Sequence, residues 1–291
     1  MRRLLALVAL ALLATACAAP SPNPASAWRF GVAAFDRVDP LAAAPILRGA
    51  GFDYLEPALG KLATASDAEV AAARAAVAAG GVPVEAMNWF LPGASIPVVG
   101  PAVDTARQDA YLRRALPLAA SFGARVVVFG SPAARTRPNG FAREEAERQL
   151  VAFLRRCADV IAGNGLDLVV AIEPLRRPET NTVNSLAEAL ALWRAVDRPQ
   201  VGVVVDVFHL AFEGEDPAVV AGAGAAIVHA QVAAVAPRGW PRTGDDAARY
   251  APYLAALRQA GYRGRLSVEA PSDDVARDAG PALARLRTLI E

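Results

Sequence analysis

The sequence predicts an α/β chain closed into a (β/α)8 TIM-type barrel, and three observations predict it. Eight short apolar runs alternate with longer amphipathic ones, without a break. The short runs are almost continuously apolar, as strands buried on both faces of a parallel sheet must be. Roughly 265 residues lie beyond the N-terminal leader, close to the length such a barrel needs.

The candidate strands, in order, are WRFGVAAF (28–35), FDYLEP (52–57), VPVEAMN (82–88), ARVVVFG (124–130), LDLVVAIE (166–173), QVGVVVD (200–206), AAIVHAQV (225–232) and GRLSVEA (264–270). Between them run helical patterns such as DAEVAAARAAVAAG (67–80), TARQDAYLRRALPLAASFG (105–123) and EEAERQLVAFLRRCADVIAGNG (144–165). Gly80, Gly123 and Gly163 are placed to cap helix C-termini, where glycine takes the left-handed conformation without strain. A doubly wound open sheet would need a glycine-rich phosphate turn after an early strand. The FGSPAARTRPNG loop (129–140) lacks the Gly-Lys-Ser/Thr ending of such a turn. Residues 28–291 are therefore expected to form one domain.

The chain opens with Arg2 and Arg3, an apolar stretch from Leu4 to Ala14, and small residues. That pattern predicts an export signal, too short for an ordinary membrane span. Cys17 follows Ala14-Thr15-Ala16, the arrangement of a bacterial lipoprotein processing site. Residues 1–16 are expected to be removed, Cys17 lipidated, and residues 17–27 left as a Pro/Ser tether holding an exported domain at the outer face of the membrane or in the periplasm. Cys157 lies on the apolar face of a helix with Leu150, Phe153, Leu154 and Ile161 and is expected to be buried and unpaired. Loss of two arginines with the signal moves the formal charge from +1 to −1. A near-neutral domain argues against nucleic acid as a partner.

The strand ends carry the chemistry. The C-terminal tips of barrel strands build the active site in this architecture. The second candidate strand ends at Glu56 and the fifth at Glu173. The sixth ends at Asp206, with His209 three residues on, and the eighth at Glu269. A lone tip acid such as Glu56 is read as a helix cap or a solvated residue. Three acids from the fifth, sixth and eighth strands in one mouth would repel one another unless a cation lay among them. On the seventh strand His229 and Gln231 share a face, and His229 is read as a satisfied strand histidine.

Three segments resemble a known family. IEPLRRPETNTVNSLAEAL (172–190) is similar to the ketose 3-epimerase pattern Glu-x-Leu-Asn-Arg-x-Glu-Thr-Asn. VVVDVFHL (203–210) matches Asp-x-x-His, and RLSVEA (265–270) matches the eighth-strand ending. The chain thus resembles the sugar isomerase and epimerase group with the xylose-isomerase-like barrel, which includes hydroxypyruvate isomerases. The resemblance implies that Glu173 and Glu269 bind a metal and act as the two acid/base groups. It implies that Asp206 is a ligand and that Glu179 and His209 hold sugar oxygens. It also implies a small-molecule sugar or polyol partner and a homodimer.

The seventh strand departs from the pattern. In HAQVAAVAPRGWPRTGD (229–245), Gln231 stands where the family has a ligand histidine, and Ala234 replaces an acid. Glu173, Asp206, Gln231 and Glu269 would make an all-oxygen site, favouring manganese or magnesium over zinc; the alternative is that the metal site is lost. Arg238 and Pro241–Gly244 resemble the family's substrate loop. Arg177, Glu179 and Asn181 are read as a loop that grips polyol oxygens, with Arg176 and Arg177 alternatively paired to nearby acids. Trp89 and Phe90 either wall a sugar pocket or anchor the core, and Trp240 is read as a pocket lid. The expected function is metal-dependent epimerisation or isomerisation of a non-phosphorylated keto-sugar, with proton abstraction next to the carbonyl by paired glutamates; a keto-sugar lyase shares that first step. The alternative is a non-catalytic carbohydrate-binding lipoprotein. Abasic-site endonucleases share the barrel but need many histidines, and this chain has 2.

Overall fold

The structure, a computed structural model, describes residues 28–290. The expected export signal, Cys17 and the expected tether lie outside the described residues. Eight parallel strands form the barrel: β1 (Arg29–Ala33), β2 (Tyr54–Glu56), β3 (Ala86–Met87), β4 (Val126–Phe129), β5 (Val169–Ile172), β6 (Val201–Asp206), β7 (Ile227–Val232) and, after the two-residue strands β8 (Ala234–Val235) and β9 (Arg238–Gly239) of a small hairpin, β10 (Arg265–Val268). Their order is β2-β1-β10-β7-β6-β5-β4-β3. Parallel bridges Leu55↔Val84 and Ala58↔Asn88 join β2 to the β3 segment and close the ring. Every predicted strand is present, and the stretches between them form helices.

Outside the strands, one continuous apolar layer packs the helices onto the sheet. Inside the barrel, Tyr54, Ala86, Val126, Val128, Ala171 and Val204 form a separate small core. Small residues on several strands make room for one large one: a Cβ on Gly31 would fall 2.3 Å from the Tyr54 ring. Gly31 therefore lets Tyr54 cross the interior and reach Ser267 Oγ at 2.7 Å. A register shift between Val203 and Val204 then brings Asp206 level with Gln231 on the neighbouring strand.

The helix ends differ in detail from expectation. Helix Asp67–Gly80 has the predicted bounds, and a reciprocal capping box between Ser66 and Glu69 starts it. Its left-handed cap is Gly81, one residue beyond Gly80. Gly163 likewise stays inside its helix, and Gly165 takes the positive φ. Where two glycines lie close together at a helix end, the later one takes the left-handed conformation and donates its amide back to the last turn. Cys157 is buried and free.

Candidate active site

The tips of β5, β6 and β10 bring four groups together. Glu173, Asp206, His209 and Glu269 each offer a side-chain atom, and these atoms lie within 4.8 Å of one another. That is well under the roughly 10 Å diameter of a helix. All four residues are buried.

Asp206 divides its two oxygens. As the N-cap of helix Val207–Glu213, its Oδ1 accepts from the Phe208 amide at 2.7 Å and from the His209 amide at 3.4 Å. Its Oδ2 is buried without a partner. This capping places His209 in the first turn. There His209 Nδ1 accepts the Arg176 amide at 3.3 Å, so Nε2 carries the hydrogen of the neutral ring. Burial lowers the His209 pKa, which favours that neutral form; Asp206 opposes the shift. Nε2 faces Asp206 Oδ2 at 3.5 Å and Glu173 Oε1 at 3.7 Å. The ring is thus presented as a donor, a geometry suited to a substrate oxygen and opposed to metal ligation through that nitrogen.

Glu173 follows β5. Its Oε2 fills the space that a Cβ on Gly130 would enter, 2.2 Å away. Arg135, fully buried, donates from Nη2 to the Glu173 carbonyl at 2.7 Å. Burial brings the Arg135 pKa down to about 10 against the opposing pull of Glu173 and Glu179, so it remains charged at neutral pH. On the far side, Glu269 Oε1 accepts from Asn88 Nδ2 at 2.9 Å, and Oε2 accepts from Arg238 Nη2 at 2.9 Å. Burial pushes Glu269 up to about 8, opposed by Arg238 and reinforced by Asp206 and Glu56. Burial raises Glu173 well above the carboxylate range too, with Glu269 and Asp206 adding to the shift.

A divalent cation fits this donor set. Neighbouring carboxylates raise the pKa of Glu173 and of Glu269, and the buried oxygens Asp206 Oδ2, Gln231 Oε1 and Asn88 Oδ1 have no hydrogen-bond donor. An oxygen-seeking ion satisfies both features at once. Gln231 turns its amide nitrogen to Glu56 Oε1 at 2.9 Å, which leaves only its oxygen for such an ion.

The remaining predicted residues separate. Arg176 Nε holds Glu179 Oε1 at 2.6 Å, with the guanidinium stacked on Phe208 and Phe212. Arg177 pairs with Glu213, and Asn181 exchanges hydrogen bonds with the Arg137 backbone at 2.8 and 3.0 Å. Arg177 and Asn181 are therefore occupied in tying loops together rather than gripping polyol oxygens. Arg238 lies between the rings of Phe35 and Phe208, 4.3 and 4.0 Å from their centroids. Trp89 stands at the mouth end of β3, 49% exposed, with a left-handed φ of 44°. Phe90 is buried in the core against Phe129 and Phe153. Trp240 is no free lid: its ring is buried against Phe52, and Nε1 donates to the Ala270 carbonyl at 3.1 Å. A large ring followed by proline anchors a loop as readily as it covers one.

Glu56 is neither a cap nor solvated. It is fully buried and accepts from His229 Nε2 at 2.8 Å, from Gln231 and from the Ser267 hydroxyl. His229 is a buried strand histidine as expected, but it is satisfied only through Nε2; its Nδ1 is buried without a partner. Asn88 and Arg135 went unmarked in the sequence. Asn88 ends the third candidate strand and was open to the same strand-tip argument as the acids; Arg135 left no periodic or motif signal.

The xylose isomerase-like TIM barrel family model matches residues 45–289. The chain belongs to that family. Within it, the chain is 30% identical over 176 residues to an L-ribulose 3-epimerase from Methylomonas sp. (strain DH-1), a match spanning 60% of this chain and 59% of the relative. A crystal structure of a D-allulose 3-epimerase from Methylomonas sp. superposes with a TM-score of 0.76 at 25% identity, covering 91% of this chain and 99% of the other. A D-psicose 3-epimerase solved in the presence of D-fructose shares the fold, with a TM-score of 0.77 at 20% identity over 90% of this chain and 99% of that one.

Proposed function

We propose that this family member is a metal-dependent epimerase or isomerase of free keto-sugars. The observation that carries the reading is the pair of buried glutamates, Glu173 and Glu269, whose oxygens converge with Asp206 within 4.8 Å. Glu173, Asp206, Glu269 and the Gln231 oxygen would hold the ion. A divalent cation, manganese or magnesium by the hardness of that donor set, supplies polarisation of the substrate carbonyl and offsets nearby negative charge.

The chain's own groups do the proton work. One glutamate takes the proton from the carbon beside the carbonyl, and the other returns a proton to the opposite face. A carboxyl raised toward neutrality suits both halves, because it can hold a proton at working pH and release it. The Nε2 hydrogen of His209 and the guanidinium of Arg238 donate to substrate oxygens, and Glu179, fixed by Arg176, accepts from a hydroxyl. The half-exposed Trp89 gives the mouth an apolar wall. Arg176, Arg177 and Arg238 are each already paired with an acid, which supports a substrate without phosphate, as do the allulose and ribulose epimerases among its relatives. Incubation of the manganese-loaded protein with D-fructose, D-allulose and L-ribulose in deuterated water tests the scheme. Deuterium should enter at the carbon beside the carbonyl, and Glu173→Gln or Glu269→Gln should stop it. Metal bound with no exchange on any ketose would sink it.

The Gln231 and Ala234 departures favour one second reading, a carbohydrate-binding protein without turnover. If only Gln231→His binds a divalent ion, that reading prevails. The N-terminal pattern supports export, with Cys17 lipidated at the membrane. Mass spectrometry of the mature N-terminus should find a diacylglyceryl group on Cys17, and an unmodified or retained Met1 terminus would rule this out.

A further inference from the structure

Beneath the mouth lies a buried polar cluster that the proton transfers do not use. Glu56 accepts from His229 Nε2 at 2.8 Å, from Gln231 Nε2 at 2.9 Å and from the Ser267 hydroxyl, and Tyr54 lies 2.7 Å behind Ser267. An ionised carboxylate only accepts, so the partners must all donate. Ser267 directs its single hydrogen at Glu56, so the Tyr54 hydroxyl donates to Ser267. Gln231 must turn its NH2 toward Glu56, which sends its carbonyl oxygen the other way. That oxygen is buried and has no donor. Asp206 Oδ2, on the residue paired with Gln231 across β6 and β7, is in the same condition. Two unmet buried acceptors thus stand on neighbouring strands at one level, each left without the hydrogen bond that water would have given it.

We propose that Glu56 is a positioning residue: it clamps the Gln231 amide so that only oxygen is offered to the mouth, where it serves an oxygen-seeking divalent cation. The inference rests on the metal-site reading above and adds the reason that a glutamine can stand on β7. A free amide turns either end inward, and its NH2 end repels a cation. With Glu56 opposite, the wrong end is already engaged. The clamp is braced on three strands, by His229 on β7, Ser267 on β10 and Tyr54 on β2, so Glu56 cannot swing away without stranding all of them. The result is a site that discriminates against ions preferring nitrogen or sulfur.

Two measurements on the purified full-length protein test this. In the metal-free protein, the Gln231 side-chain NH2 resonances, assigned by their loss in Gln231→Met, should exchange slowly with solvent, and Glu56→Met should release them. By calorimetry with manganese chloride, Glu56→Met should weaken binding about ten-fold or more, as loss of a ligand-orienting partner does. Zinc chloride should be affected less. In the Gln231→Met background, Glu56→Met should cost nothing further. Should Glu56→Met fail to fold, Glu56→Gln, which keeps one acceptor oxygen for the amide, should show the same trend with smaller losses. Equal manganese losses with and without Gln231, or amide exchange unchanged by removal of Glu56, would overturn the clamp. Absence of manganese binding by the wild type would instead overturn the metal-site reading and the ion preference with it, while the exchange data would still decide the orientation.

Discussion

Asn88 and Glu269 are 181 residues apart in the chain, yet Asn88 Nδ2 donates to Glu269 Oε1 at 2.9 Å inside the barrel mouth. The same nitrogen donates to the Ala34 carbonyl at 2.8 Å. Both hydrogens are committed, so the Glu269 carboxylate is held in one orientation. The Asn88→Leu protein should lose roughly 10- to 100-fold in kcat for solvent-deuterium exchange, the scale of removing an orienting group. Because the asparagine bond lowers the Glu269 pKa, the acid limb of the pH–rate profile should move to higher pH. An unmoved limb would exclude a direct role for that bond.

Gly130→Ala tests the space under Glu173. Its φ is not left-handed, so the backbone alone does not demand glycine; the added methyl would fall 2.2 Å from Glu173 Oε2. The carboxylate must shift, and a misplacement near 1 Å costs about 100-fold in rate. Single-turnover exchange assays should show that loss, with manganese affinity falling too.

The buried acids make a prediction about stability and pH. Glu173 and Glu269 have folded-state pKa values above the unfolded carboxylate value, Glu269 reaching about 8. Between about 4.5 and 8 the folded state therefore binds more protons than the unfolded chain. Their contribution is favourable at the acid end of that window and is lost as pH rises through it. Urea melts in chelator at several pH values should show the decline, Glu269→Gln should flatten it, and manganese should offset it at the upper end.

Gly31→Ala should overpack the barrel interior, because its Cβ meets the Tyr54 ring at 2.3 Å. A loss of about 1–3 kcal/mol is expected from urea denaturation. If the ring moves to relieve the clash, the Tyr54–Ser267 hydrogen bond goes with it, and metal affinity should fall in parallel.

Arg238→Lys keeps the charge but not the planar group stacked between Phe35 and Phe208. Lysine cannot reproduce both the stack and the paired contacts to Glu269. The ketose KM should rise several-fold with a smaller change in kcat, measured by steady-state exchange.

The barrel was legible because its strands are largely buried on both faces and so show as apolar runs, several of which end in a polar residue. Glu173, Asp206 and Glu269 were legible for the same reason: a carboxylate at the end of such a run needs a partner. Glu56 shows the limit of that argument. It sits at a strand tip like the others, but its partners are a serine, a type with no distinctive spacing, and a histidine and glutamine on a strand far along the chain. Asn88 is uncharged and left no electrostatic signal, and Arg135 comes from a four-residue helix (Pro132–Arg135) whose approach to Glu173 follows only from the closed barrel. Trp240 shows the opposite failure, where flanking turn residues said loop but not which way the ring would face.

Asp206 caps a helix with one oxygen and faces the acid cluster with the other. A descendant of this gene released from selection on turnover would still be penalised for losing it, since the turn carrying His209 would fray. An aspartate surviving at this place in a homologue is thus weak testimony that the homologue works. Gly130 is better testimony: no backbone conformation requires glycine there, and a methyl group would do its harm chiefly to Glu173. Drift would fill that gap early, so a glycine kept there marks a lineage still under selection for its chemistry.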